Sequence, residues 1–426
     1  MGLGTAVNGA RPILATSLWG LLAGVLLAAA GVFASTAGVS MPPWSAAHGW
    51  LLVVGFLMPG LAFLQFQLLE RYMGLRLHRD DARILAGLYG WAAALITMGQ
   101  LFPDALRPAI PFAVLGFAGF LLLAGTGMAQ LLITRRLLPG SSVVDVARDP
   151  LSKGDDACLA QVRFAHFMLP AGLLLLALSN GPGLTDWVGR PRLGLAGTHV
   201  VLAGYGLLSV YAVSHLVVPR LARVPAIAAG AIKGELHSTL LGIVLLAAGF
   251  LSMGTPASTG LLIAGGVFLF FGAFVFMGVL GANIMKNKSP TQRVTPEFAY
   301  IPWTFAGVFW LIAGVLLGIF LNAVPALFAD RLPALRFAHI HGILYGGFAI
   351  LLMGYATRTL SEQPVPFRRT RWAFYAANVG LILMIVGELQ AGPVSATFRA
   401  GALLAALGVA AWFISLGLHR MDRGIA

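Results

Sequence analysis

The sequence has few charged residues and almost no cysteine. Only 10% of its 426 residues are charged, whereas about 25% of the residues of a soluble protein are charged. Hydrophobic residues make up 58% of the chain, and the mean hydropathy is +0.87. We therefore expect a multi-pass protein of the lipid bilayer. The one cysteine, Cys158, excludes an internal disulfide and any metal or redox motif that needs two cysteines.

Acidic residues are also scarce, and nucleotide-binding motifs are absent. The 28 Lys and Arg residues outnumber the 15 Asp and Glu residues, which gives a formal net charge of +13. The topology of a membrane protein explains this excess, since loops on the cytoplasmic side are rich in Lys and Arg. We therefore expect no nucleic-acid partner. The chain has no glycine-rich phosphate loop and no loop long enough for a soluble domain, which argues against an ATP-driven machine.

Apolar runs of about 20 residues predict twelve transmembrane helices. We expect an all-α polytopic membrane protein in which residues 1–426 form a single membrane domain. The predicted spans are 13–36, 46–69, 83–102, 109–134, 160–179, 194–219, 235–254, 258–284, 299–324, 334–357, 372–391 and 397–418.

The distribution of positive charge predicts the orientation. With the N-terminus in the cytoplasm, the inner side receives 22 Lys and Arg residues and the outer side receives 6. An excess of positive charge on the inner side is the general rule for membrane proteins. We therefore predict that both termini are cytoplasmic, and that the protein is a multi-pass component of the cell inner (cytoplasmic) membrane.

A weak internal repeat divides the twelve spans into three sets of four. The predicted pseudo-repeats are about 1–135, 160–285 and 295–420. In the second, sixth and tenth spans, a histidine near the start is followed by glycine and an aromatic residue. These are His48 with Gly55-Phe56, His199 with Gly204-Tyr205, and His341 with Gly347-Phe348. The pattern indicates a bundle of three four-helix arcs.

Seven of the nine histidines fall at two depths. Near the outer face we place His48, His199, His339 and His341, and near the inner face His166, His215 and His237. The two histidines of the sixth span are separated by about 24 Å of helix, so the two groups cannot share one metal ion. For the inner three, an interhelical hydrogen bond is the first interpretation and metal binding the second. For the outer four, ligation of a metal is the first interpretation and an interhelical hydrogen bond the second.

The stretch Arg336 to Gly347 contains the two closest of these histidines. His339 and His341 project from a helix about 200° apart, because each residue turns about 100°. They therefore serve two separate centres on opposite sides of one helix. The ligand that fits is heme, which inserts between helices and takes axial imidazoles from them. Arg336 lies just above His339 and could pair with an anionic heme propionate.

The chain resembles subunit I of the heme-copper oxidase and nitric oxide reductase superfamily. The resemblance lies in the twelve-span topology and in the stretch Phe337-Ala-His-Ile-His-Gly-Ile-Leu-Tyr-Gly-Gly-Phe348. The short chain is also similar to the NnrS group, which are heme- and copper-containing membrane proteins linked to nitric oxide stress. The topological resemblance covers nearly the whole chain, and the motifs cover about three short stretches.

The resemblance implies a role for each outer histidine. His48 and His341 would be the two axial ligands of a low-spin heme b, and His339 the single proximal ligand of a second, high-spin heme. The chain departs from the family at the three-histidine copper site. The sixth span offers His199, but the seventh has only His237, at its inner end. Met253 is the one soft ligand at the right depth, so whether copper binds stays open.

The sequence thus leads to three hypotheses for function. The first is a heme-binding membrane protein of oxidase-like fold, in redox or nitric oxide and oxygen-related chemistry, which would make it a heme-dependent oxidoreductase with electron-donor or oxidase-like partner subunits. The second is a metal-ion or small-molecule transporter, in which inner and outer histidines are stations on one pathway. The third is a non-catalytic oxidase-like membrane subunit.

Overall fold

A computed structural model describes most of the chain. The described residues are 11–36, 47–73, 79–102, 116, 118, 119, 123, 152–179, 189–222, 224–287, 299–359, 365–391 and 395–421. All the regular secondary structure within these ranges is helical, and no strand occurs in them.

The helices follow one another with short connections. The α-helices are α1 (Arg11–Thr36), α2 (Met58–Met73), α3 (Arg79–Leu101), α4 (Lys153–Ser179), α5 (Arg190–His199), α6 (Leu208–Ala222), α7 (Ala229–Leu251), α8 (Pro256–Asn287), α9 (Tyr300–Ala323), α10 (Leu332–His341), α11 (Ile350–Thr359), α12 (Phe367–Ala391) and α13 (Ala396–Met421). Three π-helices interrupt this series: π1 (Leu51–Leu57), π2 (Val200–Leu207) and π3 (Gly342–Ala349). A 3₁₀-helix, Pro325–Arg331, precedes α10.

Eleven stretches of the described chain are long and apolar enough to cross a membrane. They coincide with eleven of the spans predicted from the sequence. The fourth predicted span, 109–134, lies almost entirely outside the described residues. The chain is therefore an all-α polytopic membrane protein, as its composition and periodicity predict.

Three spans form the centre of the bundle. In their most apolar stretches, the second, sixth and tenth spans are 78%, 89% and 67% buried, whereas no other candidate span exceeds 50%. Side chains join these three spans to one another. The Gln65 side-chain amide donates to the Ser209 hydroxyl at 2.7 Å, and Ser214 and Tyr355 are joined through their hydroxyls. The remaining spans surround this centre and expose apolar side chains such as Trp91 and Phe309.

Each central span contains one of the three π-helices, and each π-helix follows a histidine of the outer group. The wider turn disturbs the regular hydrogen-bond ladder, and such segments are frequent at functional sites. Hydroxyls from neighbouring helices bond to nearby carbonyls: Ser17 donates to the Phe56 carbonyl at 2.8 Å and Tyr205 to the Met58 carbonyl at 3.2 Å. Satisfied carbonyls are necessary in a bilayer, where water cannot replace the missing bonds.

The π-helices also contain the glycines of the proposed repeat. In π2, Gly206 lies against the Phe348 ring, and a methyl group at that position would come within 2.7 Å of the ring. The absence of a side chain there lets the sixth and tenth spans approach closely. The division of the whole chain into three repeats stays a prediction, because much of the fourth predicted span lies outside the described residues.

Candidate functional site

Two histidines from different central spans face each other. His48 lies one turn before π1, and His341 ends α10 just before π3. Their ring centres are 6.0 Å apart, and the ring planes are within 12° of parallel. The Phe337 ring stacks on His341 with its centre 3.8 Å away. The fold thus brings together the two histidines that the resemblance assigns to one heme.

All four outer histidines use the same ring nitrogen for a backbone hydrogen bond. His48 Nδ1 donates to the Gly24 carbonyl, His199 Nδ1 to the Leu195 carbonyl and His339 Nδ1 to the Gly314 carbonyl, each at 2.8 Å. His341 Nδ1 donates to the Phe337 carbonyl at 3.1 Å. With the proton on Nδ1, the lone pair is on Nε2. Histidines that ligate metals in proteins are commonly held in this way.

Little side-chain volume surrounds the backbone beside the facing histidines. A methyl group placed on Gly49, next to His48, would meet no atom of the described residues within 4 Å. At Gly342, next to His341, it would meet only Trp310, at 3.9 Å. Glycine at both positions leaves space beside both imidazoles, and a flat macrocycle requires such space.

His339 lies on the other side of the tenth span, against α9. Its Nδ1 bonds to the Gly314 carbonyl, and its ring packs on Gly318, where an added methyl group would lie 2.7 Å from Cε1. His339 and His199 are close enough to interact electrostatically. The two histidines of the His-x-His motif therefore have different neighbours, as their angular separation on the helix predicts.

The described residues do not assemble a three-histidine copper site. The seventh span presents Phe250 to His199, with ring centres 4.4 Å apart. Met253, the soft ligand that the sequence offers at this depth, is partly buried against the apolar core. Within the described ranges, no group of three or more His, Cys, Asp or Glu side chains is placed to hold a metal ion.

The outer arginines lie near the ends of the helices. Arg336 is exposed on α10, one turn before His339. The Arg331 guanidinium donates to the carbonyl of Leu389, near the end of α12. These positions are compatible with anionic groups at this end of the bundle, and the pairing of Arg336 with a heme propionate stays a prediction.

The inner histidines do not form a second cluster. His166 bonds through Nδ1 to the Val162 carbonyl of its own helix at 2.8 Å, and His237 is exposed on α7. His215 is fully buried and pairs with Glu235, with Nε2 2.7 Å from Oε2. The sequence places Glu235 close to His215 and His237 near the interface but does not predict that this acid is buried: Glu235 is 0% exposed. Its position beside Lys233 and His237 in the sequence resembles that of an ordinary interfacial residue.

Comparison of the chain with models of known protein families and with curated proteins finds no match.

Proposed function

We propose that this chain is a heme-binding integral membrane protein in which His48 and His341 are the axial ligands of one heme b. The observation that carries the proposal is the pairing of these two imidazoles from different spans, 6.0 Å apart and nearly parallel. Ionisable side chains within the membrane are rare, and they are usually retained for a function.

The distance fits two ligands of a single iron. A metal–nitrogen bond of about 2 Å on each side, with about 1 Å from each nitrogen to its ring centre, separates the ring centres by about 6 Å.

A heme held in this way supplies a one-electron redox centre when it is bound. The protein contributes orientation and surroundings. The Gly24 and Phe337 carbonyls fix the rotation of the two imidazoles and raise the basicity of Nε2. Phe337 covers one face of His341 and excludes water from that side. Together these contacts favour a rigid electron-transfer site.

The face of His339 is the candidate for chemistry on a small gas. This histidine is held by Gly314 and Gly318 on the opposite side of the helix from His341. As a single proximal ligand it would hold a second heme with one open position, where nitric oxide or oxygen could bind. His199 lies nearby, so the proposed activity is redox or nitric oxide and oxygen-related chemistry, without a conventional copper centre.

We also propose the orientation that the charge distribution predicts. Both termini would face the cytoplasm of a cell inner membrane, and the four outer histidines would lie near the opposite surface. Electrons would then come from a donor or partner subunit on that side.

An absorption spectrum of the detergent-purified protein, oxidised and dithionite-reduced, tests the proposal, with heme and metals quantified on the same sample. Sharp reduced α and Soret bands, with at least one heme per chain, are the expected result. A further change on adding carbon monoxide or nitric oxide would indicate the open iron at His339. A colourless protein, after expression with ample heme, would contradict the proposal and favour the metal-transport hypothesis.

A further inference from the structure

A second group of buried polar side chains lies between α4, α6 and α7. At its centre is Glu235, whose Oε1 accepts a hydrogen bond from Gln161 Nε2 at 2.8 Å. The other oxygen, Oε2, lies 2.7 Å from His215 Nε2. All three residues are at most 2% exposed. Because His215 is hydrogen-bonded to this carboxylate, this group of residues is not part of the proposed heme site.

Four polar atoms around this carboxylate have no hydrogen-bond partner among the described residues. They are Gln161 Oε1, Tyr211 Oη, His215 Nδ1 and Thr239 Oγ1. Leaving such atoms unbonded in an apolar interior is unfavourable, because the loss of their hydration is not compensated. A buried water typically makes about three hydrogen bonds to such atoms.

The four atoms belong to side chains of α4, α6 and α7, the helices that also carry Gln161, His215 and Glu235. Tyr211 and His215 are one turn apart on α6, and both rings contact Phe276 of α8, with ring centres 4.5 and 5.2 Å away. Thr239 follows Glu235 by one turn of α7, and neighbours at this spacing share a face. Tyr211 is also close enough to Glu235 to interact with its charge. An internal water is therefore the natural bridge between these groups.

The charge of the group favours one bound proton. With one proton, the Glu235–His215 pair is neutral overall, either as an acid beside an imidazole or as a carboxylate beside an imidazolium. Without it, one negative charge is buried, which is costly in a membrane. Among the side chains that the structure describes on the surrounding helices, no lysine or arginine is buried beside the pair. Arg163, Lys233, His237 and Lys286 are exposed, His166 is bonded within its own helix, and α8 carries no charged residue before Lys286.

The pair lies close to one end of the seventh span. Glu235 is six residues after the first residue of α7, Ala229, which corresponds to about 9 Å of helix. Gly230 and Gly234, on the same stretch, are exposed. This end of the seventh span is opposite to the end at which Phe250 contacts His199, so the group lies nearer the predicted cytoplasmic side.

We propose that Glu235 and His215 form a buried proton-binding site, hydrated by an internal water that bonds to Gln161, Tyr211 and Thr239. The proton comes from a water molecule or hydronium ion at the α7 end of the bundle and bonds to Glu235 Oε2 or His215 Nε2. It leaves by the reverse path, and no electron moves.

Infrared spectra of the purified protein, recorded in H₂O and D₂O across a range of pH, test this site. The wild type is expected to show a buried carboxyl band that changes as the pH rises, either a carboxylic acid band that shifts in D₂O and disappears or a carboxylate band that shifts when the imidazolium loses its proton. Glu235→Gln removes this band, whereas the control Asp156→Asn, at an exposed carboxylate in the first turn of α4, keeps it. His215→Asn changes the proton affinity read from the band by about tenfold or more, because the partner base is lost.

Three results would overturn the proposal. The first is identical spectra for the wild type and Glu235→Gln at every pH. The second is a band that responds to sodium or potassium at constant pH, which would identify a cation site. The third is an unchanged titration in His215→Asn, which tests the pair even if Glu235→Gln does not fold. None of these readouts depends on bound heme.

Discussion

His48 and His341 face each other across the centre of the bundle, with ring centres 6.0 Å apart and planes within 12° of parallel. They belong to the second and tenth predicted spans, and each lies within a turn of a π-helix. The backbone carbonyls of Gly24 and Phe337 hold the two rings by Nδ1. The pair therefore has the distance, the tautomer and the rigid support that two axial ligands of one heme need.

Gly318→Val is expected to disturb the His339 centre and leave the His48–His341 centre intact. A Cβ at this position would lie 2.7 Å from His339 Cε1 and 3.1 Å from Nδ1, so the imidazole must move away from α9. We expect the affinity of the reduced protein for carbon monoxide to fall by about tenfold or more, in line with the loss of a supporting contact at a metal ligand. Carbon monoxide titration of the reduced protein measures this.

Gly278→Val is the matched control for this substitution. Gly278 is exposed on α8, and an added methyl group would meet no described atom within 4 Å. This variant should bind carbon monoxide like the wild type. Equal carbon monoxide affinity in both variants would show that His339 does not hold the gas-binding iron.

Tyr205→Phe is expected to destabilise the protein by about 1–2 kcal/mol. The Tyr205 hydroxyl donates to the Met58 carbonyl at 3.2 Å, between the sixth and second spans, and both groups are buried. The substitution leaves this carbonyl without its partner in an apolar interior. Chemical unfolding of the purified protein in detergent, followed by circular dichroism, gives the change in free energy.

Tyr375→Phe serves as the control for the loss of a tyrosine hydroxyl, because Tyr375 is 48% exposed. Its free energy of unfolding should stay within about 0.5 kcal/mol of the wild-type value. A Tyr205→Phe variant as stable as this control would mean that the hydroxyl does not support the backbone next to π1.

Much of the fold was predictable because hydrophobic runs and charged loops are strong signals in a membrane protein. The eleven candidate spans of the structure match predicted ones, and the three histidine-bearing spans are the most buried. The π-helices were not predictable, since a period of 3.6 residues gives no sign of the wider turn that follows each histidine. The glycine and aromatic residues that mark them are also common in ordinary membrane helices.

The candidate site was predictable to a similar degree. The angular separation of His339 and His341 on a helix already assigned them to different sides. The pairing of His48 with His341 came from the resemblance, because distances between spans are not encoded in spacing along the chain. Glu235 was missed as a buried acid, since only the packing of α4, α6 and α8 around it removes it from water.

Reporter fusions near the C-terminus and after the third predicted span test the predicted topology. Twelve spans place both termini in the cytoplasm, whereas eleven would place them on opposite sides. A fluorescent protein fused after residue 421 should therefore fluoresce, and alkaline phosphatase fused there should be inactive. The same pair fused after residue 101, between the third and fourth predicted spans, should give the opposite result. Active phosphatase at the C-terminus would contradict the twelve-span topology.

The most direct test of the central claim is the reduced absorption spectrum of His48→Ala and His341→Ala, compared with wild type and with His237→Ala. His237 is exposed on α7 and is the matched histidine control. We predict that each of the first two substitutions abolishes the sharp low-spin α band, while His237→Ala keeps the wild-type spectrum and heme content. Wild-type spectra and heme content in both His48→Ala and His341→Ala would contradict the claim that these two histidines hold a heme between the second and tenth spans.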